Sequence, residues 1–517
     1  MAAPLHIDSN RSEARISEET SLKVANGAAV WALLEVNNYL DTAGKFTKVQ
    51  RNPIGGDRQR KKGITVDLDA AFGFNTDLTQ YNTQDLMQGL FFADFRRKIE
   101  FTGTVTSVIT SDDSFNVASG FTFTTGDLVF ARGFSNTLGN NGLHRATAAT
   151  ATKLTSDHNL ADETPPVGAK LIKVGVQGGV GLIDVDASQP FPALVSNGTA
   201  PNWTTQGLTP GESVWIGGDT APTRFANATN NCMARIRSIT ATRLELDKCS
   251  KGAMVTEADT TQTIQVFYGR FLKNESTQAL IKRRTYQIER QLGASDEALP
   301  AQIQSEYFTG AVFNELNLKY EQASKINMDC KFMALDQELR TGVVGLKAGT
   351  RPAIENADMQ TTSSGLKRVR ISKIISGDEA PAALYAFVDT MSINISNMSE
   401  PQKALTVLGG YDYSHGDFTV GGAFTGTFFT IDGVAAIRNN DNVTIDLMEF
   451  TNNAGWVQDM PLVALGDGSI QVEKDKAIKN PVTFEAASGE EIDVNLDYTL
   501  SWTFFDYLPT VAASING

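Results

Sequence analysis

Strict period-two alternation constrains this chain more than any other feature. Residues 64–78 read ITVDLDAAFGFNTDL, with Val66, Leu68, Ala70, Phe72 and Phe74 apolar and Thr65, Asp67, Asp69, Asn75 and Asp77 polar. Successive side chains of a strand point to opposite faces, so such a segment has one dry and one wet side. Residues 492–504 alternate again. Ile492, Val494, Leu496, Tyr498, Leu500, Trp502 and Phe504 oppose Asp493, Asn495, Asp497, Thr499, Ser501 and Thr503. As one strand these would span about 43 Å, well beyond the usual length. Val312, Leu316, Leu318 and Tyr320 alternate with Glu315, Asn317 and Lys319; a turn follows at 322–324, and Ile326, Met328, Cys330 and Phe332 then alternate with Asn327, Asp329 and Lys331. That pattern predicts a hairpin, and the whole predicts a mainly β chain whose long strands suit a large sheet or barrel wall.

Two levels of repetition follow. TTGDLVFARGFSNTLGNNGLHRATAATATKLTS (124–156) returns as TPGESVWIGGDTAPTRFANATNNCMARIRSITATRLEL (209–246). Gly126-Asp127 matches Gly211-Glu212, Asn140-Asn141 matches Asn230-Asn231, and Thr152–Leu154 matches Thr242–Leu244. This predicts two small β-modules, at 101–175 and 176–270, inserted after a helix. More faintly, 63–79 is echoed by 416–430, 285–292 by 443–450, and the 312–332 hairpin by 480–505 with its turn at Ser488-Gly489. We read this as an internal duplication of a main domain. The first half covers 1–100 and 271–350, a linker containing TTSSG covers 351–370, and the second half covers 371–517. The helix is expected over 83–98, with Asn82 or Thr83 as its cap, Asp85 in its first turn, and Arg96, Arg97 and Lys98 closing it. AAVWALLEV (28–36) reads as helix or strand. The loop at 50–63, QRNPIGGDRQRKKG, is expected to be exposed and mobile.

Composition narrows the function. The 517 residues carry a net charge of −14, which disfavours tight nucleic-acid binding on average. No apolar run reaches membrane-spanning length, and the N-terminus has no secretory h-region. Cys232, Cys249 and Cys330 form neither a disulfide framework nor a zinc pattern, which suggests formation in a reducing cytoplasm. No catalytic triad, phosphate loop or dinucleotide fingerprint is present. The expectation is a non-enzymatic protein without metal or cofactor. The residues singled out are the carboxylates Asp67, Asp69, Asp77, Asp493 and Asp497 on wet strand faces, and the basic loop residues Arg58, Arg60, Lys61 and Lys62. The loop fits contact with an acidic neighbouring subunit better than nucleic-acid binding.

SLKVANG, GDRQRKKGITVDLDAAF and TQDLMQGLFFADF resemble the tail tube proteins of long-tailed bacteriophages, as do TYQIERQL, YFTGAVFNELNLKYEQASKINMDCKF and SNMSEPQKALTVLGGYDYSHGDFTVGGAFTGTFF. Inserted modules with Gly-Asp-x-Val, Asn-Asn-Gly and Thr-x-Leu occur in that family. Here the second copy reads NNCM in place of NNGL. The resemblance implies a β-sandwich or barrel tube fold, internally duplicated, with one or two short helices and two inserted modules. It implies a structural virion protein, assembled in the host cytoplasm, whose rings stack into a tail tube that conducts DNA during ejection. Its implied partners are itself, as a trimer with pseudo-sixfold symmetry or a hexamer, the tape measure, tail terminator and tail tip proteins, and DNA in transit without tight binding. No membrane is involved. On this reading the five carboxylates line an acidic bore, the basic loop contacts the next ring, and the modules lie outside. The alternatives are a baseplate or decoration protein, or a carbohydrate-active β-protein.

Overall fold

The computed structural model describes the chain apart from residues 1–6, 8, 52, 55–58, 81–83, 102–103, 137–138, 167, 199–200, 259–260, 295–302, 355–356, 376–380, 382, 386 and 514–517. In chain order the elements begin with β1 (Glu13–Glu18), β2 (Ala32–Leu34), β3 (Asn38–Tyr39), β4 (Ala43–Val49), β5 (Ile64–Asp77) and α1 (Gln84–Phe91). Next come β6 (Glu100–Phe101), β7 (Val105–Ile109), β8 (Ser114–Val117), β9 (Asp127–Arg132), β10 (Gly142–Thr150), β11 (Lys153–Ser156) and β12 (Lys170–Gln177). A second set follows: β13 (Ile183–Asp186), β14 (Ala193–Ser196), β15 (Ser213–Ile216), β16 (Met233–Ile239), β17 (Arg243–Asp247) and β18 (Gln265–Tyr268). Then come β19 (Arg270–Lys273), β20 (Tyr286–Ala294), β21 (Ile303–Tyr320), β22 (Asn327–Ala334) and β23 (Asp336–Thr341). The rest are β24 (Leu366–Lys373), β25 (Val388–Ser396), β26 (Glu400–Lys403), β27 (Gly410–Ser414), β28 (Thr419–Thr427), α2 (Asp432–Asn439), β29 (Val443–Thr451), β30 (Ala454–Asp467), β31 (Lys479–Ala487), β32 (Ser501–Phe505) and α3 (Thr510–Ala513). The protein is mainly β. Two compact units share these elements: Met1–Ala93, Thr277–Thr362 and Thr390–Phe424 form unit 1, and Asp94–Ser276, Ser363–Asp389 and Thr425–Gly517 form unit 2.

In unit 1, the long strand β21 changes partners midway. Its first part pairs with β20 and β23, and its second part with β22 and β25. The change falls at Gly310, whose φ of +61° suits glycine. Glu19 accepts the Gly310 N–H at 3.0 Å and the Tyr413 hydroxyl donates to its carbonyl at 2.7 Å. β1 continues the first ladder outside β20, and β5 continues the second outside β22. The dry sides meet in an aromatic core, where Phe72 lies 5.4 Å from Phe308 and Phe313 stacks on Phe332 at 4.5 Å. The expected 312–332 hairpin is therefore β21–β22. The alternation of 64–78 is β5, dry from Leu68 to Phe74. Val66, assigned to the dry stripe, is 50% exposed, because here the strand has run past the core. AAVWALLEV contributes the short strand β2.

Helix α1 buries Leu86, Met87, Leu90 and Phe91 against β21. It is shorter than the sequence pattern suggests. Phe92 takes φ +49° and ends it, and Arg284 donates to the carbonyls of Ala93 at 3.1 Å and Gln88 at 3.4 Å. The cation at this helix end is Arg284, and Arg96, Arg97 and Lys98 lie beyond it in extended chain. Arg96 pairs with Glu275 at 2.9 Å, and Lys98 with the fully buried Glu212 at 2.9 Å. The cap residues Asn82 and Thr83 lie outside the described residues.

Unit 2 contains both modules in one continuous sheet of palindromic order, β13-β14-β17-β16-β15-β18-β12-β9-β10-β11-β8-β7. β7 to β12 correspond one by one to β13 to β18, and the copies join where β12 meets β18. Each has its own core, one around Phe115 and Leu154, the other around Trp203 and Leu244. A third core, including Trp215, Phe267, Met448, Val457 and Phe505, packs the shared sheet against β29, β30 and β32. Those strands repeat the unit 1 ladder: β24–β29–β30–β32 matches β1–β20–β21–β23, and β30–β31 matches β21–β22.

The last match corrects the expected C-terminal hairpin. β31 and β32 both pair with β30, so no hairpin turns at Ser488-Gly489. The predicted strand over 492–504 is likewise confined to β32. Residues 489–491 form a 3₁₀ turn capped by Ser488, and Asp493 accepts the Asn495 amide at 2.9 Å. Such local side-chain bonds outcompete a ladder. They leave Val494, assigned to the dry face, 73% exposed.

The repeated Asn-Asn mark is a side-chain clamp. Asn140 exchanges two bonds with the backbone of Ala161 at 2.9 Å and donates to Glu163 at 2.7 Å; Asn230 does the same with Val255 at 2.9 Å and Glu257 at 2.8 Å. Asn141 and Asn231 each exchange two bonds with a phenylalanine backbone, that of Phe134 and Phe225. The glycine after the first pair takes no part, so NNCM serves as well as NNGL. Asn140→Ala and Asn230→Ala should each destabilise their module by roughly 1–3 kcal/mol, because a fully buried amide leaves its partners unpaired. Hydrogen exchange at the Ala161 and Val255 amides would report this. Unchanged protection in both variants would contradict the clamp.

Candidate functional site

The period-two strands of unit 1 build an extended polar face. Three rungs cross four strands in register, in the order β5, β22, β21, β25. They are Gly73-Lys331-Glu315-Ser396, Asn75-Asp329-Asn317-Asn394 and Asp77-Asn327-Lys319-Ser392. The intervening rung Phe74-Cys330-Leu316-Ile395 is buried on the other side. Each carboxylate on the polar face has a lysine. Glu315 pairs with Lys331 at 2.7 Å, Asp329 with Lys319 at 2.5 Å, and Asp77 with Lys325 at 2.8 Å. Asn75 also donates to Asp329 at 2.7 Å, and Asn37 to Asp77 at 2.7 Å. Partial burial opposes the charge of Asp329, but Lys319 and Asn75 outweigh it and lower its pKa. The face is thus a charge-balanced ladder of ion pairs and amides.

Of the five carboxylates singled out from sequence, Asp77 belongs to this face. Asp67 and Asp69 lie further along β5, and both are bonded by Lys403 at 2.5 and 2.6 Å. Asp493 and Asp497 belong to unit 2. They sit on the turn before β32 rather than on a strand face, Asp493 2.6 Å from Arg237 and Asp497 paired with Lys273 and Ser276. Two lysine partners of the face, Lys319 and Lys331, were visible as polar positions of the hairpin, whereas Lys325 was not singled out. Lys403, 336 residues from Asp67, had no sequence signal. Arg60, Lys61 and Lys62 are exposed in the connection between β4 and β5, and Arg58 lies outside the described residues.

The most perturbed carboxylates are structural. Burial works against ionised Asp446, but Arg368 and Arg370 on β24 hold its carboxyl well below the ordinary value, with Lys248 assisting. Asp459 on β30 receives Arg235 of β16 at 3.0 Å, Lys248, and the Tyr498 hydroxyl at 2.7 Å. These ions clamp the second module to the strands of the second half. Among the described residues no group of three or more His, Cys, Asp or Glu side chains could hold a metal ion.

A family model described as phage tail tube protein matches residues 9–486. No curated protein matches the chain. Two consequences of the charge arrangement can be measured. Asp446→Asn should cost about 3–5 kcal/mol, since it strands two buried guanidinium groups, whereas Glu315→Gln, in a half-exposed pair, should cost under about 1 kcal/mol. Because the Asp446 pKa is depressed on folding, its contribution is intact above about pH 4 and is lost as pH falls further. Denaturant titrations from pH 7 to 2 should show a shallower acid loss for Asp446→Asn than for the parent. Parallel curves would contradict the assignment.

Proposed function

The chain belongs to the phage tail tube protein family, and from that premise we propose that its copies close into rings that stack as a hollow virion tail tube through which DNA passes. The observation that carries the proposal is the three-rung polar face of β5, β22, β21 and β25, which we assign to the bore. A wall that carries each carboxylate beside a lysine offers phosphate no uncompensated cation to hold it. Fixed amides between the pairs keep the surface wet. The net charge of −14 adds a general repulsion of DNA at longer range. Asp67, Asp69 and Asp77 lie along β5 of this wall, and Asp493 and Asp497 stand on the turn before β32 in unit 2. Both sets carry nearby cations, so the repulsion they add is mild.

The duplicated ladder supports a trimer with six pseudo-equivalent tube units. The exposed loop between β4 and β5, with Arg60, Lys61 and Lys62, is assigned to the contact between successive rings. The modules, which have cores of their own, are assigned to the outside of the tube. Negative-stain images of concentrated protein should show stacked hollow rings; compact monomers or flat disks would contradict the tube. Deleting residues 51–62 should leave the folded ring intact and impair stacking. Tubes of normal length from that variant would remove the loop from the contact.

A further inference from the structure

The two module copies differ in one kind of side chain. The first, over 101–175, has no cysteine, and Gly142 follows its asparagine pair. The second has Cys232 in that place and Cys249 just beyond β17. The first copy makes the same clamp and the corresponding strands without them, so neither cysteine is demanded by the module fold. Both are buried in the core of the second module, in the cluster that holds Leu246 and Met254. A free cysteine in a core behaves as a small apolar side chain, and its reactivity decides what else it can do.

The two cysteines meet at the open end of the β16–β17 hairpin. The ladder closes with Arg235↔Asp247. Lys248 then takes φ +52°, and the chain returns to β16 at Ser250. The Ser250 N–H donates to the Met233 carbonyl at 2.8 Å, and the Met233 N–H to the Ser250 hydroxyl at 2.9 Å. Cys232 adjoins Met233 and Cys249 adjoins Ser250, and the Cys249 thiol donates a hydrogen bond to the Cys232 sulfur. That bond holds the Cys232 thiol below its ordinary value against the opposing effect of burial, with Lys251 and Arg368 assisting. Cys330 on β22 has a different setting, where burial pushes the thiol up. Residues 251–253, directly after the pair, are exposed, so a small opening of the chain there admits a small reagent.

We propose that Cys232 and Cys249 are a latent disulfide, kept as thiols in a reducing cytoplasm and closed by a small peroxide once the protein is outside it. The Cys232 thiolate attacks one peroxide oxygen. An S–O bond forms, the O–O bond breaks, and the departing hydroxide takes up the Cys232 proton as water. The Cys249 sulfur then attacks the sulfenic sulfur of Cys232. The S–S bond forms, the S–O bond breaks, and a second water leaves with the Cys249 proton. Two thiols give up two electrons and the peroxide becomes two waters. The bond staples the start of β16 to the segment that Arg370 of β24 holds through the carbonyls of Lys248 at 3.2 Å and Cys249 at 3.4 Å. It therefore braces the second module where that module is docked. The chemistry is independent of ring formation, and only its timing rests on the virion reading.

The unmodified full chain supplies the test. Protein purified in reductant is treated with hydrogen peroxide in modest excess, alkylated in denaturant, digested without reduction and mapped by mass spectrometry. The expected product is a linked peptide pair joining Cys232 to Cys249, lighter by two hydrogens, with Cys330 still alkylated. Hydrogen exchange at the Ser250 amide should slow about tenfold or more on oxidation, as closing a short loop constrains the opened chain. Cys249→Ser should leave Cys232 trapped as a sulfenic acid and give no such slowing. Cys232 and Cys249 that remain as alkylatable as Cys330, that oxidise singly to sulfinic acid, or that link to Cys330 overturn the inference. A bond that forms without slowing exchange at Ser250 overturns the bracing role. Failure of the bond leaves the tube reading standing, and a bond formed in protein that never assembles leaves the disulfide standing without the tube.

Discussion

A strand presents two faces and two edges, and each must be satisfied by something. Most of this structure follows from how that requirement is met. In unit 1 the dry faces close on Phe72, Phe308, Phe313 and Phe332, while the opposite side carries amides and lysine–carboxylate pairs. Edges are met by a ladder in which one long strand serves two sets of partners, β21 in unit 1 and β30 in unit 2. The strand pairings of the first half recur in the second.

The modules show a different economy of interactions. Each encloses its own core, so insertion need not disturb the strands around it. Their junction with the second half is held by buried ions, chiefly Asp446 and Asp459 with Arg368, Arg370, Arg235 and Lys248. Buried ion pairs add little net stability over apolar packing, but removing one partner is costly. An arrangement of this kind favours one docking geometry over others.

The sequence was most legible where solvent alone decides each side chain's direction. The alternation of Phe72, Phe74, Leu316, Leu318, Met328 and Phe332 located three central strands of unit 1, and the Asn-Asn marks stand just before β10 and β16, at matching points of two strand sets. It misled at 492–500, where Asp493 and Ser488 bond to nearby amides and turn an alternating segment away from any ladder. The end of α1 had no glycine or proline to announce it; a left-handed Phe92 and the distant Arg284 set it. Glu163 and Glu257 escaped notice because they lie 23 and 27 residues from their asparagines, so no fixed spacing marks them. Of the candidate site, the polar positions could be read, but not their pairing, since Lys403 meets Asp67 and Asp69 from a remote segment.

The central claim is that the polar face of β5, β22, β21 and β25 borders a channel closed by copies of this chain. A density map of the assembled particle by electron cryomicroscopy tests it most directly. The account predicts threefold rotational symmetry with Asn75, Asn317 and Asp329 turned toward an open axial passage. A map that places those side chains on the outer surface, or that has no passage along its axis, would contradict it.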